Sequence, residues 1–238
     1  MNHRTPVPDR ASGPRRGEGR MFLAEAVRDL RTTGAVAPSG RALARALTEP
    51  VHAQGPRPLS VLEVGAGTGP FTRALADRLP RGSRFDVVEA NPRFATRLRT
   101  LTATHPRLTA HSVRAEVHET YLEDFKTDER YDVVVSGLPL TNFAPAQVDL
   151  IMSRLIELLH PGGTLTYFAY LGTRRARALT ASRAEARRHA AVDEVMAGYQ
   201  RRYAVGRWTV WANLPPAYAW HLQSPPAPAP DGGTGNPL

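Results

Sequence analysis

Two carboxylates and three alternating glycines hold the chemistry that can be read in this chain. Val61-Leu62-Glu63-Val64 runs straight into Gly65-Ala66-Gly67-Thr68-Gly69, and Pro70 follows. An apolar run closing near an acid, then residues that tolerate left-handed backbone and close approach, predicts a strand, a tight turn and a helix start. Phe71, Leu75 and Leu79 recur behind Pro70 at helical spacing and give that helix an apolar face. A second strand-to-acid unit, Arg84-Phe85-Asp86-Val87-Val88-Glu89, ends on Glu89 and Ala90. A carboxylate accepts two hydrogen bonds at once, which suits the vicinal diol of a ribose. A nucleotide-like ligand lying across the turn follows from these residues.

The spacing separates two classes of ligand. Dinucleotide folds use G-x-G-x-x-G/A, with a small sixth residue for close helix–strand packing. Here the order is Gly65-x-Gly67-x-Gly69, the sixth position is Pro70, and Glu63 precedes the first glycine by two. This arrangement resembles motif I (E/D-x-G-x-G-x-G) of the class I S-adenosylmethionine-dependent methyltransferases. The resemblance implies S-adenosylmethionine as cofactor, with Glu63, Gly65, Ala66, Gly67, Thr68 and Gly69 under its methionine and ribose parts. Glu89 and Ala90 would lie at the ribose, and Ser136 beyond the fourth strand would complete that edge.

The elements that must position these residues alternate along the chain. Helices are expected over Met21–Arg31 and Gly40–Leu47, then strands and helices over Ser60–Val64, Pro70–Leu79, Arg84–Glu89 and Pro92–Thr102. Ala115–Glu119 is the preferred third strand, with Leu108–Val113 competing for that place. Tyr131–Ser136 reads as a buried strand and Pro145–Leu159 as an amphipathic helix. A strand at Thr164–Tyr170, a long helix at Thr173–Gln200 and a closing strand at Arg207–Ala212 follow. The alternation predicts a Rossmann-like α/β fold, a mostly parallel sheet with helices on both faces and an N-terminal helical extension. Ligands of such sheets bind beyond the carboxyl ends of the strands. The domain is expected over 20–222, including amphipathic helices in 20–50, between Pro/Gly-rich disordered tails at 1–19 and 223–238.

Composition narrows the setting. The 238 residues suffice for one domain with a sound core, and zero cysteines leave no disulfide framework or thiolate metal site. No apolar run is long enough to span a bilayer and no secretory signal pattern opens the chain, so a cytoplasmic protein is expected. The net charge of +9 is almost wholly arginine, Lys126 being the only lysine. Such an excess favours an anionic partner, whether nucleic acid or membrane surface. The histidines are scattered, and no metal-ligand spacing is readable.

The loop after the fourth strand, Ser136-Gly137-Leu138-Pro139-Leu140-Thr141-Asn142-Phe143, speaks to substrate. Methyltransferases acting on the amino groups of nucleic-acid bases carry N-L/P-P-Y/F there, pairing an amide acceptor with an aromatic stacking platform. Gly137 and Leu140 stand in those two positions, so a base is disfavoured and no nucleic-acid partner is expected. The same loop, Thr33-Gly34-Ala35-Val36-Ala37-Pro38-Ser39 ahead of the glycines and Asn213-Leu214-Pro215-Pro216-Ala217 near the C-terminus resemble the bacterial phospholipid N-methyltransferases. That family converts phosphatidylethanolamine to phosphatidylcholine. The resemblance implies a lipid amine as substrate and peripheral membrane attachment through the amphipathic helix at Met21–Arg31. A related amine lipid such as ornithine lipid is the alternative, and an rRNA adenine N6-dimethyltransferase is the rival reading.

Gly137, Leu138 and Pro139 would supply backbone acceptors for the amine, and Asn142 and Tyr121 would line the pocket, together with His118. Glu119 and Thr120 stand where the family has its adenine-side turn, although Glu119-Thr120-Tyr121 departs from the usual Gly-Asp-Ala-like sequence. Trp208, Trp211, Tyr218 and Trp220 could hold a methylated cation by cation–π contact, although each reads first as a packed aromatic.

Overall fold

The computed structural model describes residues 40–171, 183–213 and 215–227. The helix expected at Met21–Arg31, the Thr33–Ser39 segment and the 1–19 tail lie outside the described residues.

Strands form where short runs rich in valine and leucine are buried on both faces, as parallel strands between two helical layers require. β1 (Ser60–Val64), β2 (Arg84–Val88) and β4 (Tyr131–Ser136) are almost wholly buried. With β3 (Arg114–His118), β5 (Leu159–Tyr170), β6 (Ala204–Val210) and β7 (Ala217–Gln223) they make one sheet of order β3-β2-β1-β4-β5-β7-β6. The first five strands are parallel, whereas β7 runs antiparallel to both β5 and β6. The strand order reverses at β1, so a crevice opens at the carboxyl ends of β1 and β4.

Helices start where backbone chemistry favours it. α3 (Pro70–Ala76) begins with Pro70 behind Gly69, which has φ +84°. α4 (Pro92–Thr104) is capped by Asn91, whose side chain accepts from the Arg93 and Phe94 amides at 3.0 and 3.4 Å. α1 (Arg41–Leu47), α3 and α4 cover one face of the sheet. Leu43, Leu47, Val61, Phe71, Leu75, Phe85, Val87, Leu98, Val133 and Val135 form the core there. α2 (Glu49–Ala53) and α5 (Pro106–Ala110) are single short turns. α6 (Pro145–Glu157) buries Val148, Ile151, Met152 and Leu155 and packs against α7 (Arg183–Tyr203).

Several expected boundaries move. The third strand takes the preferred place, and residues 108–110 of the competing stretch fall in the helix Pro106–Ala110. The closing strand begins at Ala204, three residues before the expected Arg207, because helix α7 passes into it with no breaker. β7 was not foreseen. The C-terminal tail does not leave the domain at 223: the Ser224 amide donates to Gly163 O at 2.9 Å and its hydroxyl to His160 O at 2.6 Å. Pro225 O accepts from the Gly162 amide, so the chain stays bound through 225.

Candidate active site

The glycine turn is fastened at both ends. The Gly65 amide donates to Val88 O at 2.8 Å and the Gly69 amide to Ala66 O at 3.0 Å. Between them the Gly67 amide donates to Glu89 Oε2 at 2.8 Å, while Glu89 Oε1 accepts from the Asn91 amide at 2.8 Å. Glu89 therefore spans the turn and the cap of α4. Each of its oxygens keeps a lone pair for a further donor such as a ribose hydroxyl. Gly67 has φ +55° and open space where a Cβ would stand. The turn thus presents a bare, left-handed backbone to the crevice. Ala66 is buried, Thr68 is exposed, and Ala90 is half-buried at the end of β2.

Glu63 sits beneath the turn and is wholly buried, with neither carboxyl oxygen in a hydrogen bond among the described residues. Its nearest polar neighbour is Thr72 on α3, whose hydroxyl is likewise buried and without a closed hydrogen bond. Burial, with a smaller push from Glu89 and a smaller opposing pull from Thr72, raises the Glu63 pKa to about 8. In the free protein this carboxyl is mostly neutral at pH 7. An unsatisfied buried carboxyl costs free energy unless a donor or a positive charge arrives.

The loop after β4 meets the turn directly. The Gly137 amide donates to Val64 O at 2.8 Å, and a Cβ on Gly137 would lie 2.4 Å from Gly65 O. Leu138 packs so closely on Gly65 that a Cβ there would come within 2.7 Å of Leu138 Cδ2. Ser136 is buried, and its Oγ accepts from the Leu138 amide at 3.4 Å. The chain then tightens into a 3-10 turn at Leu140–Asn142, in which Leu138 O accepts from the Leu140 amide and Pro139 O from the Asn142 amide. Among the described residues no group donates to Gly137 O. Leu140 and Phe143 point into the core, at 5% and 2% exposure, and offer no stacking face. Arg188 of α7 holds this loop from outside, donating to Asn142 O and Phe143 O at 3.4 Å each.

Some expected residues stand apart from this arrangement. Glu119 turns outward to an ion pair with Arg99 at 3.0 Å, because α4 presents its arginine over the end of β3. Thr120 and Tyr121 are half-buried in the turn beyond β3. His118 does not face the crevice: its Nε2 lies 2.9 Å from Asp86 Oδ1, and its ring packs on Phe125 with centroids 4.9 Å apart. The Asp86 carboxylate, on the same sheet face, also accepts from the Tyr131 hydroxyl at 2.9 Å and pairs with Arg84 at 2.7 Å. Burial alone would raise the Asp86 pKa, but the bonds from His118 and Tyr131 and the Arg84 charge hold it below the usual carboxylate range. Asp86, Glu116 and His118 converge closely, yet both Asp86 oxygens are already engaged within the sheet. Tyr218 and Trp220 hold the Arg207 guanidinium, 4.8 and 5.4 Å from their ring centroids. Trp208 lies on His221 and over Gly206.

Thr72, Asn91 and Arg188 join the site without having been expected. Asn91 carried a local signal, a capping residue directly before Pro92. Thr72 and Arg188 act through contacts that only the folded chain creates.

S-adenosylmethionine fits these residues. A bare glycine backbone, a Glu89 with lone pairs to spare and a buried Glu63 without a hydrogen bond among the described residues suit a ligand carrying a ribose and positive charges. The chain matches a methyltransferase-domain family over residues 62–165. It is 33% identical over 146 residues to the ornithine lipid N-methyltransferase of Singulisphaera acidiphila, covering 60% of this chain and 73% of that protein. The N-methyltransferase NodS of Bradyrhizobium japonicum WM9, solved with S-adenosyl-L-homocysteine, superposes with a TM-score of 0.57 at 20% identity, over 87% of this chain and 97% of that one. The Burkholderia thailandensis 1,6-didemethyltoxoflavin-N1-methyltransferase superposes with a TM-score of 0.59 at 18% identity, over 92% and 94% of the two chains. Those two likenesses concern the fold, and the closer sequence relative extends across most of its own length. The chain belongs to the class I S-adenosylmethionine-dependent methyltransferases and is an N-methyltransferase.

Proposed function

We propose that the protein transfers methyl from S-adenosylmethionine to the amine headgroup of a membrane lipid, working at a membrane surface. The observation that carries this reading is the Gly137–Pro139 turn. It lies against the glycine turn, leaves Gly137 O without a donor among the described residues, and buries Leu140 where base-modifying enzymes need an aromatic platform. Such a site offers a small amine an acceptor and offers a planar base nothing to stack on. Ornithine lipid is the favoured substrate, supported by the Singulisphaera acidiphila relative. Phosphatidylethanolamine is the second reading, supported by the likeness of Ser136–Phe143 and Asn213–Ala217 to the phospholipid N-methyltransferases.

When bound, S-adenosylmethionine supplies a sulfonium methyl open to in-line displacement. Glu63, Gly65, Ala66, Gly67, Thr68, Gly69, Glu89 and Ala90 would hold the cofactor, with the carboxyl of Glu63 toward its positive charge and Glu89 on the ribose. Ser136 keeps the substrate loop closed on that side through its bond to the Leu138 amide. Gly137 O accepts an amine N–H and so directs the nitrogen lone pair toward the crevice, while Asn142 and Tyr121 line the approach. Positioning of this kind and exclusion of water are the main contributions a protein makes to such a displacement. The amine must be neutral to attack, and a carbonyl cannot take its proton, so the proton leaves to water at the rim.

The test is transfer of labelled methyl from S-adenosylmethionine to vesicles holding ornithine lipid, vesicles holding phosphatidylethanolamine, and ribosomal RNA. Label in ornithine lipid supports the reading, and label in phosphatidylethanolamine alone moves it to the second lipid. Label only in RNA overturns it.

A further inference from the structure

The edge strand β6 and the corner that follows it carry an apolar surface that the fold does not use. Among the described residues, Val205, Trp208 and Trp211 are three of the four large hydrophobic side chains left exposed, all within seven residues. Trp211 is the extreme case, at 72% exposure.

Its height on the sheet gives this exposure meaning. Val210 stands opposite Ala217, and Ala217 opposite Tyr170. Ser136 is level with Tyr167, three residues lower. Trp211 therefore leaves the sheet about 10 Å beyond the carboxyl end of β4, at a strand rise of about 3.3 Å per residue. It stands beyond the same carboxyl-end edge of the sheet as Gly137, three strands, or about 14 Å, to the side. Trp208, opposite Ala219 and so level with Phe168, is also on this side of Ser136, whereas Val205 is not.

The corner is held firmly. Asn213 is buried, its Oδ1 accepts from the Gly40 amide at 2.7 Å, and its Nδ2 donates to Pro215 O at 2.7 Å. Pro216 O accepts from the Leu171 amide at 2.6 Å. An indole is thus held outward by a hydrogen-bonded base. The Gly40 contact places the exposed Arg41 next to this corner along the chain, and exposed Arg187 of α7 directly precedes Arg188, which bonds the loop after β4.

We propose that this rim, with Trp211 as its apolar anchor and Arg41 beside it, docks on the surface of an anionic phospholipid bilayer. Indole rings favour the headgroup level, where their apolar body and polar N–H are both satisfied. Basic residues next to an anionic leaflet add attraction. The charge of the chain, +9, has the complementary sign. The inference rests on the lipid-amine reading, since docking by this edge carries a headgroup toward Gly137.

The test uses the full chain and vesicles of phosphatidylcholine with phosphatidylglycerol, which offer no amine lipid, against vesicles of phosphatidylcholine alone. Wild type, Trp211→Ala, Trp211→Phe and Arg41→Glu are compared by flotation. Trp211→Ala and Arg41→Glu are expected to weaken binding to the anionic vesicles by roughly tenfold, with Trp211→Phe intermediate. Cofactor affinity and methylation of a short-chain, monomeric amine substrate stay at the wild-type level in all three. Equal vesicle binding by wild type and Trp211→Ala overturns the proposal. Protection of Trp211 from iodide in the vesicle-free protein also overturns it, because the indole would then be covered by residues 1–39 or by a second copy. If wild type methylates no vesicle lipid yet binds through Trp211, docking stands and the substrate reading falls. If it methylates vesicle lipid and Trp211→Ala does so equally, the substrate reading stands and docking falls.

Discussion

The α-carbon of Gly137 faces the carbonyl oxygen of Gly65 so closely that a methyl group on Gly137 would lie 2.4 Å from it. The glycine turn at the end of β1 and the loop at the end of β4 are therefore one packed unit. Gly137 occupies the place of the amide acceptor used by base-modifying enzymes for a steric reason.

This contact separates two glycine substitutions. Gly137→Ala must push the two loops apart, and overpacking of this kind typically costs about 1–3 kcal/mol. The expected result is a lowered melting temperature together with loss of cofactor binding. The Cβ of Gly67→Val meets no protein atom within 4 Å, although a β-branched residue at a φ of +55° carries about 1–2 kcal/mol of strain. Its melting temperature should fall by a few degrees while calorimetric affinity for S-adenosylmethionine is lost. Equal affinity in Gly67→Val and wild type would remove the cofactor from this turn.

Glu63 gives binding a pH signature. Its folded pKa, about 8, is above the ordinary 4.5. Its contribution to the stability of the free protein is complete below 4.5 and is lost as pH rises through about 8. A positively charged ligand favours the ionised form, so binding should release a proton near neutrality and tighten as pH rises toward 8. Calorimetry in two buffers of different ionisation enthalpy checks this. Glu63→Gln should abolish both the proton release and the stability slope.

Asp86 acts with the opposite sign. Its folded pKa is depressed, so the stability it provides is present above the ordinary carboxylate value and is lost as pH falls through the folded one. Asp86→Asn leaves Arg84 and His118 without their shared partner, a loss of about 3 kcal/mol by analogy with broken buried pairs. Denaturant melts should show that deficit at pH 7 and lose it only as pH falls below the ordinary 3.8 toward the depressed folded value.

Arg188 donates to the Asn142 and Phe143 carbonyls of the loop after β4. Arg188→Ala should lower kcat for methyl transfer several-fold and leave cofactor affinity unchanged. A matching loss of cofactor affinity would mean that the residue supports the turn as well.

The parts of this molecule that were legible in its sequence are those whose signals are local. The β1 turn, Glu89 and the Pro70 and Pro92 helix starts each announce themselves within ten residues. β7 was missed because Ala217-Tyr218-Ala219-Trp220-His221-Leu222 mixes small, aromatic and polar residues, and two of them, Tyr218 and Trp220, face Arg207 instead of a helix. The pairing of Glu119 with Arg99, twenty residues earlier, was not legible because nothing nearby in sequence signals it. The Gly65–Gly137 contact spans separate strands, and only their adjacency in the sheet creates it.

The strand order also sets the order of events during synthesis. β7 lies between β5 and β6, and β6 bonds to no other strand among the described residues. As the chain emerges, β6 comes first and finds nothing to pair with, while the flank of β5 stays open. Both wait for residues 217–223, so a chain truncated before Ala217 carries two unmatched strand edges and should recruit chaperones and aggregate where the full chain does not.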